Sequence, residues 1–142
     1  MSYFKIKSYA KINLALNITG KLKRLHKIES IVSFIDLYDL IFIRKINSFK
    51  HQISFYGKFS KNINSRNTIS KLLSILDKYK LLNNQKFQIK VKKNIPQQAG
   101  LGGGSMNSAS ILNYLEKNNF IKIDQRQKVK ISNLVGSDVI LG

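Results

Sequence analysis

Apolar and polar residues alternate along several stretches of this chain, and a period of two marks strands. Between Lys5 and Ile18, the side chains of Ile12, Leu14, Leu16 and Ile18 share one face while Lys11, Asn13 and Asn17 share the other. In a solvated edge strand such a polar face means little; in a ligand cleft it offers one cation and one amide. From Ile31 to Ile43 an apolar run is interrupted by Asp36-Leu37-Tyr38-Asp39, which reads as a strand, a turn or bulge capped by the aspartates, and a second strand. Gln52 to Tyr56 is a further short strand, and Phe87, Ile89 and Val91 alternate with Lys86, Gln88, Lys90 and Lys92. Elsewhere the spacing is helical. Asn67 is a good N-cap ahead of the stripe Ile69, Leu72, Leu73, Leu76 and Tyr79. Met106, Ala109, Leu112 and Leu115 fall on one face of a second helix, and a third spans about Gln125 to Leu134.

Between the strand ending at Lys92 and the helix of Met106 lies Ile95-Pro96-Gln97-Gln98-Ala99-Gly100-Leu101-Gly102-Gly103-Gly104-Ser105. It holds the chain's only proline and four of its 8 glycines. Glycines let a backbone turn through positive φ and approach a ligand with no Cβ in the way. Free N–H groups and the positive dipole end at a helix start make an anion site. Strand, glycine loop and helix in that order therefore point to phosphate. A Walker A loop is excluded, because no lysine follows Gly104 before Lys117. A dinucleotide fingerprint fits at Gly100 and Gly102, with Asp124 at the ribose-binding distance, but Ser105 occupies its third glycine position. The remaining design is a longer loop with a proline before the glycines and a serine at the helix start.

A chain of 142 residues, 43% hydrophobic, has room for one domain spanning 1–142 with a real core. No apolar run is long enough to span a membrane, and no signal-peptide core precedes the patterned sequence at Phe4, which points to the cytoplasm. Zero cysteines exclude disulfides, zinc–thiolate sites and thiol nucleophiles. His26 and His51 are too few for a histidine metal cluster. The net charge of +18 comes from lysines and arginines scattered along the chain, the pattern of solvated surface cations rather than a nucleic-acid stripe.

Pro96 followed by Gly100-Leu101-Gly102-Gly103-Gly104-Ser105 resembles the phosphate motif of the GHMP kinases, the superfamily of galactokinase and the homoserine, mevalonate and phosphomevalonate kinases. With Asn107 after the triple glycine, it is most similar to the diphosphocytidyl-methylerythritol kinase family. Ala10-Lys11-Ile12-Asn13-Leu14 resembles that family's first motif, and the spacing to His26 and to Phe34 through Asp39 is similar too. Asn67 falls where the family has an asparagine near the adenine, and Gly136-Ser137-Asp138-Val139 resembles the stretch carrying its catalytic aspartate. The chain departs from the family at Tyr9 (usually proline), at Arg24-Leu25 before His26 (usually Gly-Tyr), at Gln97-Gln98-Ala99, where upstream glycines are thinned, at Met106 (usually serine) and at Ile140 (usually proline).

The resemblance implies an α+β fold: a mostly antiparallel sheet with helices on one side, like the second domain of a ribosomal small-subunit protein. It also implies that residues 1–142 are the N-terminal, ATP-binding domain, cut short at its C-terminal end, with the family's C-terminal domain absent. The implied reaction is ATP-dependent phosphorylation of the 2-hydroxyl of a diphosphocytidyl-methylerythritol, a small-molecule substrate of isoprenoid precursor biosynthesis. Lys11 and Asp138 would be catalytic; Asn67, Pro96, Gly100, Leu101, Gly102, Gly103, Gly104, Ser105 and Asn107 would bind ATP. Asn13 and His26 would contact the substrate, and Mg²⁺ would bridge the ATP phosphates with no direct protein ligand assigned. The rival readings are another small-alcohol kinase of the superfamily, or a basic nucleic-acid-binding module that keeps the fold without the chemistry.

Overall fold

In a computed structural model, residues 2–10, 36–96 and 103–136 are described. Four alternating stretches pair as one sheet: β1 (Phe4–Tyr9), β2 (Tyr38–Ile46), β3 (Gln52–Tyr56) and β4 (Lys86–Lys92), in the order β1-β2-β4-β3. β1 pairs antiparallel with β2 and β2 antiparallel with β4, whereas β3 runs parallel to β4. The sheet is thus mixed, antiparallel except at one edge. That parallel edge follows from the helix α1 (Thr68–Lys78) inserted between β3 and β4, since parallel neighbours need a crossover. Helices α2 (Gly103–Lys117) and α3 (Gln125–Val135) follow.

The register Ile41↔Val91 and Ile43↔Ile89 sets the inward residues of the two central strands side by side. With Phe87 they meet Ile69, Leu72, Leu73 and Leu76 of α1, Ile111, Leu112 and Leu115 of α2 and Ile131 of α3 in one buried cluster. Among the described residues the helices pack against this face, as the alternation requires. Tyr79, expected on the α1 stripe, is the C-cap and is exposed, because the helix ends one residue before it. Strand β3 falls on the expected span, whereas β2 begins only at Tyr38 and takes Asp39 into the ladder. The expected first strand continues beyond Tyr9 into residues outside those described.

The outward face mixes cations with rings. Arg44 and Lys90 lie over Tyr3, at 4.4 Å and 5.3 Å from its centroid, and Lys7 lies 5.2 Å over Tyr38. Among the described residues, no helix is long and apolar enough to cross a membrane.

Candidate functional site

Helices α1 and α2 both begin at one end of the sheet, the end where β4 finishes. Asn67 caps α1: its Oδ1 accepts from Ser70 N at 2.9 Å, and its Nδ2 donates to Asn64 O at 3.0 Å. The next residue reaches across to the second helix, Thr68 Oγ1 donating to the carbonyl of Gly104 at 2.7 Å. Two helix N-termini therefore meet, and neither has an acidic side chain in its first turn to offset its dipole. A Cβ added at Gly104 would stand 3.5 Å from Thr68 Oγ1, an ordinary contact. The fold by itself does not demand glycine there.

The second feature was not expected. Asp36-Leu37-Tyr38-Asp39 is only half a turn: Asp39 is a strand residue with 0% of its surface exposed. Its Oδ1 accepts from the backbone N–H groups of Asn94 (2.7 Å) and Ile95 (2.9 Å), its Oδ2 from Asn107 Nδ2 (3.0 Å), and the Lys93 ammonium closes an ion pair on Oδ2. Lys93 is itself buried. A charge so placed is tolerated only when paired and fully hydrogen-bonded. Asn94 adds a tie of its own, donating from Nδ2 to Tyr38 O at 3.0 Å. The backbone of Lys93 meanwhile bonds to Tyr56 O and Phe59 N, which holds the β3 exit beside it. Gly57, at φ +100°, fits there because a Cβ would come within 3.2 Å of the Lys93 backbone.

Of the residues singled out in the sequence, Asn67, Gly104 and Ser105 lie together at the two helix starts, with Gly103 as the first residue of α2. Pro96 follows the buried Ile95 at the end of the upstream stem. Asn107 is buried, its amide turned onto Asp39; its Oδ1 and the Ser108 Oγ find no partner among the described residues. Lys11, Asn13, His26, Gly100, Leu101, Gly102 and Asp138 lie outside the described residues. Asp124 has a structural task. It caps α3 in a reciprocal box with Gln127, which removes the dinucleotide reading.

Sequence reasoning missed Asp39 and Lys93, although a signal was present. Asp39 is in phase with Ile41 and Ile43, and Lys93 with Phe87, Ile89 and Val91, so opposite charges stand where core residues belong. His51, set aside earlier, bridges β4 and α1 at the opposite end of the sheet. Among the described residues no group of three or more His, Cys, Asp or Glu side chains could hold a metal ion.

The family model described as "GHMP kinases N terminal domain" matches residues 67–142. A 4-diphosphocytidyl-2-C-methyl-D-erythritol kinase from Pelagibacter ubique is 64% identical over 142 residues, all of this chain and 50% of that protein. The enzyme of the same name from Caldicellulosiruptor bescii is 35% identical over 95% of this chain and 47% of its own. The chain thus spans about half the length of these curated relatives. Among solved structures, a 4-(cytidine 5'-diphospho)-2C-methyl-D-erythritol kinase superposes with a TM-score of 0.57 at 24% identity, covering 74% of this chain and 35% of its own, which supports the fold. A chain that carries this strand, glycine segment and helix, and matches the family over more than half its length, belongs to the GHMP kinases as an α+β N-terminal domain.

Proposed function

We propose that this chain supplies the ATP-binding half of a kinase that phosphorylates the 2-hydroxyl of 4-diphosphocytidyl-2-C-methyl-D-erythritol. The observation that carries the reading is the meeting of two helix starts at Thr68 and Gly104. A nucleotide whose base lies at Asn67 needs its phosphates one short step away, and the first turn of α2 is that step. The relatives named above supply the substrate.

In this reading the amides of Gly102 to Ser105 hold the ATP phosphates, with Pro96, Gly100 and Leu101 shaping the loop. Asn13 and His26 hold the substrate, and Asp138 takes the proton of its 2-hydroxyl. The oxygen then bonds to the γ-phosphorus while the bond to the β-phosphate oxygen breaks and ADP leaves. Lys11 offsets the charge that develops between aspartate and phosphoryl group. Asn107 acts from behind, through the helix it anchors. Mg²⁺ carried in with the nucleotide would supply charge neutralisation on its phosphates. The rival reading, a nucleic-acid-binding module on the same fold, predicts instead an RNA affinity that falls steeply with salt and a glycine segment that ignores nucleotides.

The test is amide exchange with and without Mg·ATP, on the parent chain and on Gly104→Ala. Protection is expected at residues 100–105 in the parent. The variant should fold as well, since its methyl meets no clash, yet lose most of that protection because the methyl stands where phosphate approaches. A parent chain whose loop and helix start ignore Mg·ATP refutes the reading.

A further inference from the structure

The glycine segment has two stems, and one carboxylate grips both. Upstream, Asn94 and Ile95 give their backbone N–H groups to Asp39 Oδ1; downstream, Asn107, one turn into α2, gives its amide to Asp39 Oδ2. Asp39 sits in β2, which is paired on both sides, so it is the rigid member of the set. Fixing Asn107 fixes the rotation of α2 about its own axis, and that rotation sets where the free N–H groups of its first turn point. A merely space-filling residue at this site would be an isoleucine, like its in-phase neighbours Ile41 and Ile43. A buried ion pair is seldom more stabilising than packed hydrocarbon. What it adds is direction: two acceptor atoms with fixed geometry, each holding a different stem.

We propose that Asp39 is the positioning residue of the phosphate loop, holding both stems to the sheet and so aiming the α2 amides at the ligand. This inference rests on the phosphate-binding reading above for its purpose, though not for its geometry. Lys93 neutralises the carboxylate so that the aspartate itself does not repel a polyphosphate nearby.

Asp39→Asn is the informative variant. Its carbonyl oxygen still accepts from Asn94 and Ile95, but its NH₂ now faces the Lys93 ammonium and the Asn107 amide, donor against donor. In the ligand-free chain, exchange of the hydrogen-bonded amides from Asn107 to Leu112, just beyond the free first turn of α2, should rise about tenfold or more, while the amides of Leu72, Leu73 and Leu76 in α1 hold. Mg·ADP affinity should fall about tenfold or more. The swap D39N/N107D puts the carboxylate on the helix side and should restore slow exchange in α2. Unchanged exchange at the start of α2, or an increase spread evenly over α1 and the sheet, overturns the proposal. If D39N fails to fold, Asn107→Ala cuts only the helix-side tie, and unaltered exchange of the hydrogen-bonded amides that follow the first turn overturns it equally. A parent chain that binds no nucleotide would refute the phosphate reading, while the exchange data on ligand-free protein would still decide whether Asp39 aims the helix.

Discussion

Each end of the sheet is tied by a carboxylate, a cation and a backbone N–H, but the two knots are built to different standards. At the glycine-loop end Asp39 is wholly buried and accepts from four donors, with Lys93 as its counter-ion. At the other end the hub is a neutral imidazole. His51 Nδ1 accepts from Phe87 N at 3.0 Å, so Nε2 carries the proton and donates to Asp77 Oδ2 at 2.9 Å. Lys86 approaches the same oxygen at 3.4 Å, and the Asp77 side chain keeps 31% of its surface in water. Water can replace a lost partner in the second knot and has no access to the first. The first therefore fixes geometry at high cost if broken, and the second joins β4 to α1 in a way that titrates.

The largest effect expected is for Asp39→Ala, which leaves the Lys93 ammonium buried without a counter-ion. A loss of about 3–5 kcal/mol is expected, much of the stability of a domain this size. Asp77→Ala, which removes the same chemical group from the wetter knot, should cost only about 1 kcal/mol. Urea titrations of the two variants compare them directly, and equal losses would erase the distinction. Next comes Gly57→Ala, whose methyl would press within 3.2 Å of the Lys93 backbone at a φ of +100°. About 1–3 kcal/mol is expected from strain and crowding, read in the same titration.

The pH dependence separates the knots further. Burial holds the His51 pKa below its ordinary 6.5, against the pull of Asp77, so the unfolded chain takes up the proton first. Stability from this site is complete above pH 6.5 and declines as pH falls from there towards the lowered folded value. Protonation also turns Nδ1 into a donor facing the Phe87 N–H, which ends that hydrogen bond. Melting temperatures should fall across that window in the parent and much less in His51→Gln. A parent curve that is flat below pH 6.5 would mean that His51 is protonated at no cost to the fold.

Much of this architecture was legible before the structure, and what was not has a common cause. Strand β3, the Asn67 cap and the stripe of α1 are local: each is written in residues a few positions apart, where propensity and periodicity act. The strand before the glycine segment and the helix after it were legible for the same reason. Asp39 was read as a turn cap because its partners Lys93 and Asn107 are 54 and 68 residues away. Only the register Leu40↔Lys92 brings them together. The parallel placement of β3 was likewise a matter of which edge it joins, which no alternation encodes. Of the scattered lysines, read as solvated surface cations, Lys7 and Lys90 lie over the rings of Tyr38 and Tyr3.

The smallest expected stability effect gives the finest test of which end of the molecule meets the ligand. Asn67 and Asp124 are both N-caps with good geometry, Asn67 Oδ1 accepting from Ser70 N at 2.9 Å and Asp124 Oδ1 from Gln127 N at 2.7 Å. Replacing either by alanine removes one cap and should cost about 1 kcal/mol. Asn67, however, precedes Thr68, which touches the start of α2, whereas Asp124 opens α3 and is bonded to Gln127 of its own helix. Mg·ATP titrations should therefore show Asn67→Ala weakened by more than its stability loss explains, and Asp124→Ala binding like the parent. If the two variants lose affinity in equal measure, the cap at Asn67 serves its helix alone, and the base of the nucleotide lies elsewhere.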